Sequence, residues 1–243
     1  MTVTEHIINI ALNQNGLFTR KDILNTIRPE DTKVSEGSLA VLLSRMLAND
    51  KITRVSHGIY RLNEHVKHDF SYSPNGFMQV LNKQIRTNFP FIDYCLWQPS
   101  VFGTFMQHVP AVRMTLIDVK REAMESVFMS LQGTETKLSI HLNPSQKDID
   151  RYITNNEVII VRPLVKEAPL NMVDNCPVPT LEKMLVDAIA DKELQYLQGN
   201  ELYTIYTNAL TDYNIKKARL LRYASRRNRK SKVEQILNTI QIL

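Results

Sequence analysis

From Val3 to Gln14 apolar residues return every three or four positions, and Ile7, Ile8, Ala11 and Leu12 share one side, a spacing that predicts an amphipathic helix. Asn15-Gly16 is a helix C-cap signal. A second helix is expected from Thr19, whose hydroxyl can cap it together with Asp22, and Ile23, Leu24 and Ile27 give the inward stripe. Pro29 ends that helix, and the polar turn Glu30 to Lys33 follows. A third helix starts near Ser35 and runs to about Asn49, with Leu39, Leu42, Leu43, Met46 and Leu47 at the i, i+3, i+4, i+7, i+8 positions of one buried face. Ile52 to Val55 and Ile59 to Leu62 are rich in β-branched and aromatic residues. The intervening Ser56-His57-Gly58 can close a tight hairpin, with Gly58 at positive φ.

Three helices followed by a hairpin are the order of a winged helix-turn-helix, which assigns residues 1–64 to that module. On the third helix Ser35, Gly37, Ser38, Val41, Ser44 and Arg45 face outward, a slim polar surface with one long cation. Such a helix fits a DNA major groove about 12 Å wide. Lys51, Arg54 and Arg61, with His57 at the wing tip, add cations to the outer surface, so double-stranded DNA is the expected partner. A winged helix used only as a protein-interaction block is the alternative.

Residues 65–90 have a polar, His-containing start and the turn signal Ser73-Pro74-Asn75-Gly76, which reads as a linking or bracing segment, with Phe70 and Phe77 packed. From Phe91 short strand-like runs alternate with helical ones: Phe91 to Trp97, Val101 to His108, Val112 to Val119, Glu122 to Leu131. Leu138 to Leu142, a polar helix Ser145 to Tyr152 and the apolar run Val158 to Val161 continue the series. That alternation predicts an α/β layer over 91–178 with a mixed or parallel sheet. Pro163 to Pro179 reads as a Pro-marked loop. Thr180 then caps a helix with a stripe of Leu181, Met184, Leu185, Ala188 and Ile189, and helices near 199–210, 215–226 and 232–242 complete an all-helical part over 179–243. The expected fold class is α+β: a winged helix, then an α/β layer, then a helical subdomain.

A chain of 243 residues with 43% hydrophobic content can bury two cores. The formal charge of +5 suits an anionic partner, and its surplus is carboxy-terminal. Lys216, Lys217, Arg219, Arg222, Arg226, Arg227, Arg229, Lys230 and Lys232 lie in a stretch without an acid between Asn214 and Val233. Helical spacing puts Arg219, Arg222 and Arg226 on one face, opposite Ala218, Leu221 and Ala224, a second basic surface to which Lys216 and Arg227 are added. Its alternative is an ordinary solvated helix face. Cys95 and Cys176 make neither a disulfide framework nor a zinc site, and no run is long and apolar enough to span a bilayer, so a reducing, cytoplasmic setting and no membrane partner are expected.

Catalytic patterns are sparse. Asp118-Val119-Lys120 after the strand Met114 to Ile117, with Asp93 as a second acid, resembles a PD-(D/E)xK metal nuclease arrangement, but the Pro-Asp turn is missing and Asp118 also reads as a helix-start acid. His65 and His68 have ligand-like spacing without further zinc ligands. The glycines form no phosphate loop, Ser44, Ser100 and Ser126 lack a Gly-x-Ser-x-Gly frame, and Trp97 in an apolar run reads as core. No catalytic residue, metal or cofactor is expected.

Three segments carry a resemblance that spans nearly the whole chain: Gly37-Ser38-Leu39-Ala40-Val41-Leu42-Leu43-Ser44 with Arg54-Val55-Ser56-His57-Gly58-Ile59-Tyr60; Tyr94-Cys95-Leu96-Trp97 to Met106-Gln107-His108; and Pro179-Thr180-Leu181-Glu182-Lys183-Met184-Leu185-Val186-Asp187. The chain resembles the AbiEi-like antitoxins of type IV toxin-antitoxin systems. The resemblance implies an amino-terminal domain that binds inverted repeats in its own promoter and represses the operon, and a carboxy-terminal domain that neutralises a nucleotidyltransferase toxin. Family wings usually carry a basic residue where His57 stands, and His is neutral for much of the population at pH 7. A one-component regulator whose second domain binds a small effector is the alternative reading, followed by the nuclease.

Overall fold

The computed structural model describes residues 3–14, 16–27, 35–49, 51–63, 67–106, 113–133, 138–153 and 157–241. They divide into two compact units, Met1–His68 and Asp69–Leu243.

The first unit contains α1 (Val3–Asn13), β1 (Leu17–Thr19), α2 (Arg20–Ile27), α3 (Glu36–Ala48), β2 (Ile52–Ser56) and β3 (Ile59–Leu62). Its antiparallel sheet has the order β1-β3-β2, and β1, too short to give a sequence pattern, is an addition to the expected elements. The core joins Ile7, Ile8, Ile10 and Ala11 of α1 to Ile23, Leu39, Leu43, Met46 and the inward Phe18 and Tyr60, whose rings stack at 5.8 Å. Leu12, expected inside, is 54% exposed, because Ile10 rather than Leu12 completes the buried arc. Thr19 and Asp22 cap α2 reciprocally: the Thr19 backbone N–H donates to Asp22 Oδ2 at 2.6 Å and the Asp22 N–H to Thr19 Oγ1 at 3.3 Å. Gly16, at φ 82°, turns the chain after α1. Asn15, Pro29, the turn Glu30 to Lys33, His65, Gln107 and His108 lie outside the described residues.

In the second unit, α4 (Gly76–Asn88) begins at an Asn75 cap and buries Met78, Leu81 and Ile85 in the main core. The stretch expected as a link is thus, from Asp69 onward, part of the second unit. β4 (Tyr94–Trp97) leads through a 3-10 turn (Pro99–Phe105) to β5 (Met114–Val119). α5 (Met124–Gln132), β6 (Ser139–Leu142), a capped turn α6 (Gln146–Asp148) that continues as a π turn, and β7 (Val158–Pro163) follow. The sheet order is β4-β5-β7-β6, with β4 antiparallel to β5 and the other three strands parallel. This is the expected mixed sheet. β5 is buried along its whole length, as parallel strands covered on both faces are.

Pro163 to Pro179 is not a loop throughout. It folds into the hairpin β8 (Leu170–Val173) and β9 (Cys176–Pro179), turned by Asp174 and Asn175 at φ 48° and 59°, the two positive φ angles of a type I′ turn. The prolines hid a strand pair that accommodates them at non-donating positions. α7 (Leu181–Ala190) starts at the expected Thr180 cap, and α8 (Asn200–Asp212), α9 (Lys217–Arg226) and α10 (Lys230–Gln241) complete the unit. α7 is buried on all sides, Glu182, Lys183 and Asp187 included, so the apolar stripe marks only part of its packed surface.

Candidate nucleic-acid interface and a buried charge centre

α3 begins where the Ser35 side chain accepts from the Ser38 N–H at 3.1 Å, and its inner residues Leu39, Leu43 and Met46 fix which side looks out. Ser35, Gly37, Ser38, Val41, Ser44 and Arg45 are all exposed. On the wing, Arg54, His57 and Arg61 are exposed and Lys51 is half-buried. Gly58 takes φ 76°, and a bulge between Arg54 and Ser56 twists the tip. There the Arg54 guanidinium lies 3.0 Å from His57 Nδ1 and 3.4 Å from the Ser56 carbonyl, contacts that hold it at the wing tip. Arg45, Lys51, Arg54 and Arg61 make no ion pair among the described residues. The unit thus carries a slim polar outer face on α3 and exposed wing cations that make no ion pair among the described residues.

The carboxy-terminal basic surface is reorganised relative to the sequence expectation. α9 buries Leu220, Tyr223 and Ala224, while Ala218 is exposed, so the inward face is turned from the one expected. Arg219 lies 3.7 Å from the buried Glu182, Arg226 lies 2.6 Å from Glu167, and Arg227 turns into the interior. Lys216 and Arg222 keep side chains without an ion pair among the described residues. The acids that neutralise the ridge come from α7 and from the segment before β8, so a search along the helix alone missed them.

Arg227 belongs to a cluster that sequence reasoning did not find. Asp118 on β5 and Arg162 on β7 are register partners in neighbouring parallel strands, so both side chains leave the same face of the sheet. Arg162 Nε donates to Asp118 Oδ1 at 2.5 Å and Lys183 Nζ to Asp118 Oδ2 at 2.5 Å. Lys183 also reaches Asp187 Oδ2 one helical turn on, at 2.6 Å. Arg162 Nη1 donates to Asp191 at 2.7 Å and to Glu193 at 3.4 Å; the Tyr223 hydroxyl donates to Asp187 Oδ1 at 2.9 Å; Arg227 bonds to Asp191. Beneath the cations lies Trp97, its ring 5.3 Å from Lys183 Nζ and 5.8 Å from Arg162 Cζ, so its core assignment holds with a cation-π role added. A cavity of about 230 Å³ reaches the cluster at the carboxyl ends of the strands.

The electrostatics follow from burial. Desolvation pushes the Asp118 carboxyl upward, but Arg162 and Lys183 outweigh it and hold the group down at about 2. Burial raises Asp191 to about 6, with Asp187 acting in the same direction and Arg162 and Arg227 against it. The acids each face cations, and no three His, Cys, Asp or Glu residues among the described ones converge as a metal-binding set. Lys120 points away from this centre and pairs at the surface with Asp93 at 2.6 Å. The Asp-x-Lys triplet is thus split between interior and surface: Asp118 faces Arg162 and Lys183, while Asp93 is engaged by Lys120.

Residues 5–63 match the profile described as transcriptional regulator, AbiEi antitoxin, which covers the winged helix. Residues 38–242 match the profile of a family of unknown function, DUF6577, which takes in part of α3, the wing and nearly the whole second unit. No curated protein matches the chain. No helix among the described residues is long and apolar enough to cross a membrane. The chain belongs to the DUF6577 family, and its amino-terminal domain is that of an AbiEi-type transcriptional regulator.

Proposed function

We propose that this regulator binds operator repeats upstream of its own operon through α3 and the wing, and that its second domain neutralises a partner toxin of the nucleotidyltransferase type. The observation that carries the DNA half is that Arg45 on α3 and Arg54 and Arg61 on the wing are exposed, with Lys51 half-buried between the two elements, and that none of the four makes an ion pair among the described residues. A helix whose outward residues are Gly37, Ser38, Val41 and Ser44 lets the backbone approach base edges while Arg45 reaches a guanine or a phosphate. The toxin half rests on the AbiEi match together with a second unit whose inward polar groups are engaged in holding its own core. The reading requires no chemistry from this chain.

The experiment is to read the neighbouring genes for a nucleotidyltransferase and co-express it with the full chain, combined with a binding assay on the operon's upstream duplex. Rescue of growth and sequence-selective binding are expected. Failure of growth rescue, or a neighbourhood without such a gene, would remove the antitoxin assignment, and equal binding to any duplex would remove operator recognition.

A further inference from the structure

The hairpin β8–β9 has an edge that the described residues leave open. Pro177 and Pro179 have no N–H, and they pair with Met172 and Leu170, so these are the non-bonded pairs of the antiparallel ladder. Asn171 and Val173 close the hairpin. The backbone N–H and C=O groups of Leu170 and Met172 consequently turn to the outer edge of β8, where no residue bonds to them among the described residues. The edge is held in place at both ends: Asn82 and Arg86 donate to the Asn175 carbonyl at the turn, at 3.1 and 2.8 Å, and the Thr180 N–H donates to the Pro169 carbonyl at 3.1 Å.

β8 also forms a wall of a groove of about 970 Å³ with Ile92, Leu164 and Val165 among its apolar lining. Met172 is 65% exposed, and Phe91, between two lining residues, is 96% exposed. Two of the lining acids are already neutralised, Asp93 by Lys120 and Glu167 by Arg226, each at 2.6 Å. Arg86, Arg121 and Lys166 then face Glu122 alone, leaving the groove with a positive surplus.

We propose that this groove binds an extended, acid-bearing segment of the partner protein, which adds to β8 as a third strand. The Leu170 and Met172 backbone groups supply the strand pairing, the apolar lining takes alternate side chains, and Arg86, Arg121 and Lys166 select acids. This rests on the reading of the second domain as the part that meets a toxin, and it names the surface.

The test uses the full chain and a labelled twelve-residue peptide of alternating Glu and Val, compared with its Lys-for-Glu counterpart and with a version N-methylated at alternate residues. Fluorescence anisotropy should show binding of the acidic peptide alone, and slower exchange of the Leu170 and Met172 amides in its presence. Met172→Pro removes one outward N–H without touching the hairpin's own bonds, and should weaken binding tenfold or more with an unchanged melting temperature; Arg121→Glu with Lys166→Glu should do the same if Met172→Pro fails to fold. No binding, equal binding of the basic or N-methylated peptide, or indifference to both variants overturns the proposal. So does a concentration-dependent dimer of the chain alone that Met172→Pro abolishes, which gives the edge to a second copy. Growth rescue by Met172→Pro equal to wild type sinks the proposal and leaves the antitoxin reading standing, whereas a wild type that fails to rescue removes that reading whatever the peptide does.

Discussion

Asp118 and Arg162 stand side by side in register on β5 and β7, 2.5 Å apart and almost completely buried, and each compensates part of the other's charge in the core. Removing one member of such a pair costs the other a hydrogen bond in a low-dielectric interior. Asp118→Ala removes the carboxylate that Arg162 and Lys183 share while Asp187, Asp191 and Glu193 still face them, so each cation loses one buried hydrogen bond, and we expect a loss of about 1–3 kcal/mol in chemical denaturation. Lys120→Ala, two residues away on an exposed ion pair, should leave the transition where it was. Equal effects of the two substitutions would contradict the buried centre.

The same cluster gives the second unit a pH signature. Asp191 binds its proton more tightly when folded, at about 6, than an ordinary unfolded aspartate does near 3.9, so its contribution is fully present below about 4 and lost as pH rises toward 6. Asp118, held at about 2, contributes in the opposite sense, with stability present above about 4 and lost as pH falls toward 2. Guanidinium midpoints measured from pH 4 to 7 should therefore carry a falling component that Asp191→Asn removes. A slope unchanged by that substitution would show that Asp191 does not titrate there.

The carboxy-terminal ridge should behave as a mostly neutralised face. Replacing Arg219, Arg222 and Arg226 by Gln should lower the slope of log affinity against log salt on B-DNA by at most one phosphate contact, about 0.9, because Arg219 and Arg226 already face acids. The triple variant should also be less stable, since Glu182 is buried and loses its cation. A slope reduced by three contacts would restore the ridge as a nucleic-acid surface.

How much of this could be read from the chain depends on the range of the interaction. The α3 stripe, the Thr19 and Thr180 caps and the wing with Gly58 are local patterns, and they appear where the periodicity puts them. The charge centre is not local: Lys183 meets Asp118 across 65 positions, and on a helix read by its apolar stripe Lys183 and Asp187 look like a solvated face. One signal was available, since Asp118 and Arg162 each stand fifth in a strand whose preceding residues are nearly all apolar, Met114 to Ile117 and Val158 to Val161. A charge that ends each of two apolar runs marks two partners that need each other. The β8–β9 hairpin was masked by prolines whose compatibility with an edge depends on register, which no single segment displays.

At the wing, Arg54→Ala should reduce affinity for every duplex alike and lower the salt slope by about 0.9, as expected of a phosphate contact. Because His57 Nδ1 lies 3.0 Å from the Arg54 guanidinium, His57→Ala should produce a smaller loss of the same kind by freeing Arg54 from this contact. Loss of discrimination between sequences by either variant, measured in competition, would instead place the wing on base edges.

The most direct test is competition binding of the full chain to its own upstream duplex and to a random duplex at one fixed salt concentration, wild type against Arg45→Ala. The wild type should prefer the upstream duplex by at least about 10³-fold. Arg45→Ala should narrow that preference by about 1–3 kcal/mol. A wild type that binds both duplexes equally, or a preference that Arg45→Ala leaves intact, would contradict DNA recognition through α3.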